Sequence, residues 1–96
     1  MALMASFNYA NGSVTVTTTA AVALTVTPGQ VVILQNTGSA AIFLGGSTVT
    51  SSGANIGYSL AAGASITLPS VAEQPHALYA IVASATQTLV YLTSHN

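Results

Sequence analysis

The sequence predicts a small all-β domain, in the form of an antiparallel β-sandwich, jelly roll or barrel of roughly seven or eight short strands. Val, Ile, Thr and Tyr are abundant, Lys and Arg are absent and only one acidic residue is present, a balance that favours strands over helices. Turn-forming residues also recur every few positions, as short antiparallel strands require. The 96 residues fit a single domain, with no internal repeat and no linker.

The strand assignments rest on alternation of apolar and polar side chains. Residues 1–12 are predicted to be an N-terminal arm or irregular lead-in, because Asn11 and Gly12 form a turn signal, and residues 13–96 the β domain. The apolar run at residues 31–34 predicts a strand covered on both faces. The other predicted strands are residues 13–19, 22–26, 41–44, 47–50, 65–68, 77–83 and 87–93.

The connections between these strands are predicted from turn chemistry. The polar residues 36–39 predict a hairpin turn, and residues 84–86 predict a C-terminal hairpin between the last two strands. Residues 51–57, rich in Ser, Gly and Asn, are expected to be the least structured segment. Pro69 lacks a backbone donor and is expected to end a strand.

The near absence of charge excludes several classes of function. Glu73 is the only acidic side chain, and the formal net charge is −1. Without basic residues the chain has no means of neutralising phosphates, so we expect no nucleic-acid partner and no attraction to anionic membranes. No apolar run is long enough for a membrane span, and the first residues lack the features of a secretory signal. A surface with so little charge predicts association with other proteins.

Candidate catalytic and metal-binding residues are few. Glu73 and His76 lie three residues apart, but a metal site needs three or four ligands, and a polar loop before residue 77 is the simpler interpretation. His95 is interpreted as a solvated tail residue, although in a trimer one imidazole per subunit could meet at the axis. Gly45 and Gly46 are followed by no Lys, so they form no phosphate loop. We therefore expect no catalytic residue, no cofactor, no metal and no enzymatic activity.

The aromatic residues leave two interpretations open. They are compatible with a sugar-binding groove, but aromatics on alternating strands more often belong to the core or to subunit contacts. The residues concerned are Phe7, Tyr9, Phe43, Tyr58, Tyr79 and Tyr91.

The order of the segments from residue 31 to residue 92 resembles small β-rich virion proteins of tailed bacteriophages. An apolar strand and an Asn-Thr-Gly turn at residues 31–38 precede a second apolar strand with Gly-Gly-Ser-Thr-Val-Thr at residues 41–50. Leu-Ala-Ala-Gly-Ala-Ser at residues 60–65 and Leu-Tyr-Ala-Ile at residues 78–81 follow. The resemblance implies a β-sandwich or barrel, a virion location and a role as capsid decoration, head-fibre or tail accessory protein. Similar proteins usually carry some charged residues, basic ones included, near the last strand, whereas residues 87–93 are uncharged here.

These observations together predict a structural virion protein that decorates, or cements, a bacteriophage capsid surface after synthesis in the host cytoplasm. The expected partners are further copies of the chain, in a homotrimer, and the major capsid protein or other virion proteins. Two alternatives remain: a carbohydrate- or host-binding tail or fibre module, and a self-assembling tube or sheath subunit.

Overall fold

The structure, a computed structural model, describes residues 8–69 and 74–95 and contains eight β-strands and no helix in those ranges. The predicted all-β fold of about seven or eight strands is therefore confirmed. The strands are β1 (Asn8–Val16), β2 (Ala21–Val26), β3 (Val31–Asn36), β4 (Ile42–Gly45), β5 (Tyr58–Leu60), β6 (Ser65–Pro69), β7 (His76–Ile81) and β8 (Gln87–His95).

The strands form two four-stranded antiparallel sheets. Sheet A has the order β1-β8-β3-β6, and sheet B has the order β2-β7-β4-β5. Among consecutive strands only β4 and β5 pair with each other, and every other connection crosses from one sheet to the other. This is the strand order of a jelly-roll sandwich, which the sequence alone did not distinguish from a barrel.

The core lies between the two sheets and follows directly from the alternation in the sequence. In β3 every second residue is buried, and in β8 the alternate residues from Gln87 to Thr93 point inward. Successive side chains of a strand point to opposite faces, so one face of each sheet supplies the core. The buried apolar residues of the cluster are Val16, Ala23, Val26, Val32, Leu34, Ile42, Leu44, Leu60, Ala80, Val82 and Leu89.

A fully buried amide joins the two sheets where β3 ends. The Asn36 side chain donates to the carbonyls of Ala40 and Leu60, both at 2.8 Å, and accepts from the Gly38 N–H at 2.9 Å. Leu60 belongs to β5 in sheet B, so the bond to its carbonyl crosses between the sheets, whereas the other two bonds hold the loop after β3. Gln87 completes the corner by accepting from the Ser39 N–H at 2.8 Å. The polar segment that follows β3 is therefore a corner between sheets.

The two predicted hairpins are wrong for this reason. Residues 37–41 connect β3 in sheet A to β4 in sheet B, and residues 82–86 connect β7 in sheet B to β8 in sheet A. Because these loops are short, the sequence predicts that the strands on either side of each loop pair with each other. In the structure, the strands that pair with them come from distant parts of the chain. Ala85, with φ of 58°, makes the second crossing possible in a left-handed conformation.

Strand β1 begins at Asn8, so the prediction of an irregular lead-in is wrong for residues 8–12, and residues 1–7 lie outside the described residues. Gly12 is a strand residue because the Tyr91 ring covers it: a Cβ at this position would lie 2.6 Å from Cζ of that ring. The Asn-Gly pair therefore serves close packing, and the turn signal is not used.

Two further segments differ from expectation. Residues 47–50 form no strand, and only one isolated bridge joins Thr50 to Ile56. The loop at residues 51–57 is nevertheless held by backbone bonds, including Gly57 N–H to the Thr50 carbonyl and Thr50 N–H to the Asn55 carbonyl, both at 3.0 Å. The three-residue strand β5 was not predicted, because its sequence is too short for alternation to appear.

Candidate interaction surfaces

The outer face of sheet A carries a contiguous group of apolar side chains, which we call the β3–β8 patch. Its members are Tyr9, Val31, Ile33, Val90 and Leu92. Ile33 and Leu92 are directly paired across β3 and β8, and Ser94 lies between Tyr9 and Val31 in the register. Residues paired directly across antiparallel strands lie on the same face of the sheet, so the patch is continuous.

Four of the five side chains of this patch are exposed. Val31 and Ile33 are each 40% exposed, Leu92 is 39% exposed and Tyr9 is 69% exposed. A shallow depression of about 240 Å³ lies among these side chains, between Tyr9 and the β3–β8 pair. The prediction that residues 31–34 are covered on both faces is therefore wrong for the single chain, since the sandwich covers only one face of β3.

The outer face of sheet B carries a second, less exposed apolar row, which we call the β7 stripe. Its members are Val22, Phe43, Tyr79 and Ile81. Val22 is 46% exposed, whereas the other three are partly buried. Both outer faces of the sandwich thus offer apolar contact area, but of these two apolar rows it is the β3–β8 patch that combines a depression with an exposed aromatic ring.

The polar neighbours of the β3–β8 patch are neutral. Asn11, Ser13 and Thr15 of β1 share the outer face of sheet A, and Gln35 and Thr67 occupy it on β3 and β6. No Lys, Arg, Asp or Glu lies anywhere in residues 8–69 or 74–95. A partner would therefore meet apolar groups, hydroxyls and amides on this face, and salt would screen nothing in the contact.

The structure describes only one member of the candidate acid–base pair. His76 is exposed at the start of β7, opposite Val26 of β2. Glu73 lies outside the described residues, so the structure does not test its proximity to His76. His95 ends β8 opposite Asn8, and its side chain is not described. Within the described ranges no three His, Cys, Asp or Glu side chains come together as metal ligands.

The aromatic residues that the structure describes do not converge on one groove. Tyr9 lies on the outer face of sheet A, Tyr91 points inward over Gly12, and Tyr79 lies on the outer face of sheet B with Phe43. Tyr58, 61% exposed, stands apart at the start of β5. Phe7 lies outside the described residues. A groove that uses all these rings is thus not formed by the part of the chain that the structure describes.

Tyr58 borders a second depression, of about 230 Å³, which sequence reasoning missed. Its walls are the loop between β4 and β5, including Thr48, Asn55 and Ile56. Val49 holds this loop in place, since it packs so closely against Gly45 and Gly57 that a Cβ on either would lie within 3.0 Å of its Cγ2. The glycines that place Val49 looked in the sequence like simple turn signals.

Comparison with protein-family models, with curated protein sequences and with solved structures returns no significant match. Among the residues that the structure describes, no helix has the length and hydropathy to cross a membrane. Function must therefore be argued from the surfaces themselves.

Proposed function

We propose that the protein is a structural virion protein that decorates and stabilises a bacteriophage capsid, and that it docks through the β3–β8 patch. The observation that carries the proposal is the contiguous apolar outer face of sheet A, whose neighbours among the described residues are all uncharged. Contiguous apolar patches on a small soluble domain mark sites of protein contact. The resemblance of residues 31–92 to small phage virion proteins supports the choice of partner.

The composition of β3 adds support from the sequence side. Its apolar run has the pattern of a strand buried on both faces, yet the chain itself buries only Val32, Leu34 and Asn36 of that strand. Val31 and Ile33 would complete the pattern if a partner covered the outer face of sheet A. A capsid surface supplies such a partner in many identical copies.

The energy available from this contact is modest for each residue. Full burial of a Val, Leu or Ile side chain is worth about 1.5–3 kcal/mol, so covering the remaining 40% of Ile33 contributes about 0.6–1.2 kcal/mol. Leu92 contributes a similar amount, and Tyr9 is the aromatic anchor of the contact. Stable binding therefore uses several residues and repeated subunits.

Stabilisation of the capsid follows from mass action. A subunit that binds the assembled shell, and not the separated capsid proteins, shifts the equilibrium toward the shell. Repetition around the shell multiplies the effect, and association of the subunit with its own copies adds avidity. The corresponding location is the capsid surface of the virion, after synthesis in the host cytoplasm.

The test uses phage particles produced without this protein, to which purified variants are added back. The wild-type chain should bind the particles and raise the temperature at which they release DNA. The double variant Ile33→Thr/Leu92→Thr, which keeps strand-favouring side chains, should bind at least about tenfold more weakly.

Val22→Thr on the β7 stripe is the matched control, since Val22 is similarly exposed on the other sheet. It should bind like the wild type. Absence of the chain from purified virions, or equal binding by the double variant and the wild type, would contradict the proposal.

A carbohydrate-binding module is the second candidate, favoured by one observation. Tyr58 is highly exposed beside a depression whose wall includes Asn55 and Thr48, and sugars are commonly held by an aromatic face with neighbouring amides and hydroxyls. Glycan-array binding that Tyr58→Ser abolishes, without any effect on particle stability, would favour this function over capsid decoration.

A further inference from the structure

Each sheet ends in two edge strands, and three of these four edges carry a feature that blocks further pairing. Edge strands expose unpaired backbone groups, and proteins commonly protect them by shortness, Pro, bulges or charge. In sheet B, β5 has only three residues, and β2 is interrupted by a register shift between Val22 and Leu24. In sheet A, β6 has five residues and ends at Pro69.

The fourth edge, β1, has none of these protections. It is nine residues long and pairs with β8 without interruption, from Asn8 opposite His95 to Val16 opposite Gln87. It contains no Pro and no charged residue. It is thus the longest and most regular edge that the described residues present.

A hydrogen bond at the end of β3 shows which backbone groups of β1 point outward, away from β8. The Thr88 carbonyl accepts from the Thr37 N–H at 3.1 Å, so the backbone groups of Thr88 point toward β3. Because the direction of the backbone groups alternates along an antiparallel strand, the N–H and C=O groups of Gln87, Leu89 and Tyr91 point toward β1. The backbone groups of their partners Val16, Val14 and Gly12 point back toward β8. The outward-pointing groups of β1 therefore belong to the intervening residues, which include Asn11, Ser13 and Thr15.

We propose that this outward edge of β1 pairs antiparallel with β1 of a second copy of the chain. A two-fold pairing centred on Ser13 would bring Asn11 opposite Thr15 of the other copy and form about six backbone hydrogen bonds. Around such a two-fold axis identical residues lie close together, and charged side chains there would repel one another. Strand β1 carries no charged side chain. The joined eight-stranded sheet would present two β3–β8 patches on the same side.

This inference concerns self-association, and its two-fold pair takes the place of the homotrimer expected from the resemblance. It does not depend on capsid binding, so the two can fail separately. Native mass measurement of the full chain should give two copies, or a multiple of two. Amide hydrogen exchange should show protection of Asn11, Ser13 and Thr15, whose N–H groups point away from every other strand that the structure describes. Gly12, Val14 and Val16 point toward β8 and serve as the internal control, protected in any state.

Ser13→Pro removes the central outward donor without removing a bond to β8, and Gly12 before it tolerates the altered backbone. We expect self-association to weaken at least about tenfold and the protection of Asn11 and Thr15 to disappear. Ser13→Lys, at an exposed position, tests the same edge by charge repulsion if the proline variant fails to fold.

Thr67→Lys is the matched control, because Thr67 is exposed on the same outer face at the opposite edge of sheet A. It should leave self-association unchanged. A monomer, a mass of three chains, rapid exchange of Asn11, Ser13 and Thr15 in the associated state, or a Ser13→Lys variant that associates like the wild type would each overturn the proposal.

Discussion

Removal of the Asn36 side chain is the perturbation whose cost can be worked out most directly. Asn36 is fully buried, and its amide makes three hydrogen bonds of 2.8–2.9 Å, to the carbonyls of Ala40 and Leu60 and from the N–H of Gly38. All three partners are backbone groups, so a substitution leaves them without their bond. The bond to Leu60 also holds β5 of sheet B against the end of β3 of sheet A.

The expected loss for Asn36→Ala is about 3–5 kcal/mol. Each hydrogen bond contributes about 0.5–1.5 kcal/mol net, and a buried partner left unsatisfied adds about 1–3 kcal/mol, which applies most strongly to the buried carbonyl of Leu60. Domains of this size have a free energy of unfolding of about 5–15 kcal/mol, so the variant keeps only part of its stability. A loss of about 3 kcal/mol corresponds to a decrease in Tm of about 12–24 °C.

The assay is thermal and urea unfolding at one fixed protein concentration, because association would make the apparent stability concentration-dependent. Gln35→Ala is the control: Gln35 is the neighbouring amide on the same strand, but it is exposed on the outer face. It should change the free energy of unfolding by less than about 0.5 kcal/mol. An Asn36→Ala variant as stable as Gln35→Ala would refute the role assigned to the buried amide.

Three further predictions follow from the same contacts. Gly57→Ala should lose about 1–3 kcal/mol of stability, because its Cβ would lie 2.6 Å from the Leu44 carbonyl oxygen. Gly46→Ala is the control and should be nearly neutral, since a Cβ there has no atom within 4 Å. Equal melting curves for the two variants would contradict this. Asn36→Asp should lose stability as the pH rises above about 4. Burial raises the pKa of the new carboxyl in the folded state, so the unfolded state loses its proton first and is favoured at higher pH. A free energy of unfolding from urea titrations that does not change with pH would count against it. Capsid binding should change little between low and moderate salt, since the described residues carry no Lys, Arg, Asp or Glu, and a steep loss of affinity with salt would show an ionic contact instead.

The fold class was predictable because it depends on local alternation. In β3 and β8 the apolar positions that alternate in the sequence are those that enter the core, as Leu34 and Leu89 illustrate. The jelly-roll order was not predictable, because it depends on which distant strands pair. Asn36 shows the difficulty: in the sequence Asn-Thr-Gly it has the local signature of a hairpin turn, and only its bond to Leu60, 24 residues away, identifies it as a corner between sheets.

The candidate surface was only half predictable. The sequence indicated that a chain with so few charges would associate, and the apolar run at residues 31–34 indicated a covered strand. Neither observation indicates which face of that strand the chain leaves exposed. The sequence pattern of a strand buried on both faces is the same whether the second face is covered by the chain itself or by a partner protein. The sequence does not identify Tyr9 as part of this surface, because the turn signal at Asn11 and Gly12 predicts a lead-in over residues 1–12.

The claim that a protein partner covers the outer face of sheet A is tested most directly by side-chain oxidation footprinting of virions. Tyr9, Ile33 and Leu92 should react readily in the isolated chain and become protected in the virion, while Tyr58, away from the patch, stays reactive in both. Equal reactivity of Tyr9, Ile33 and Leu92 in the free and virion-bound protein would contradict the account.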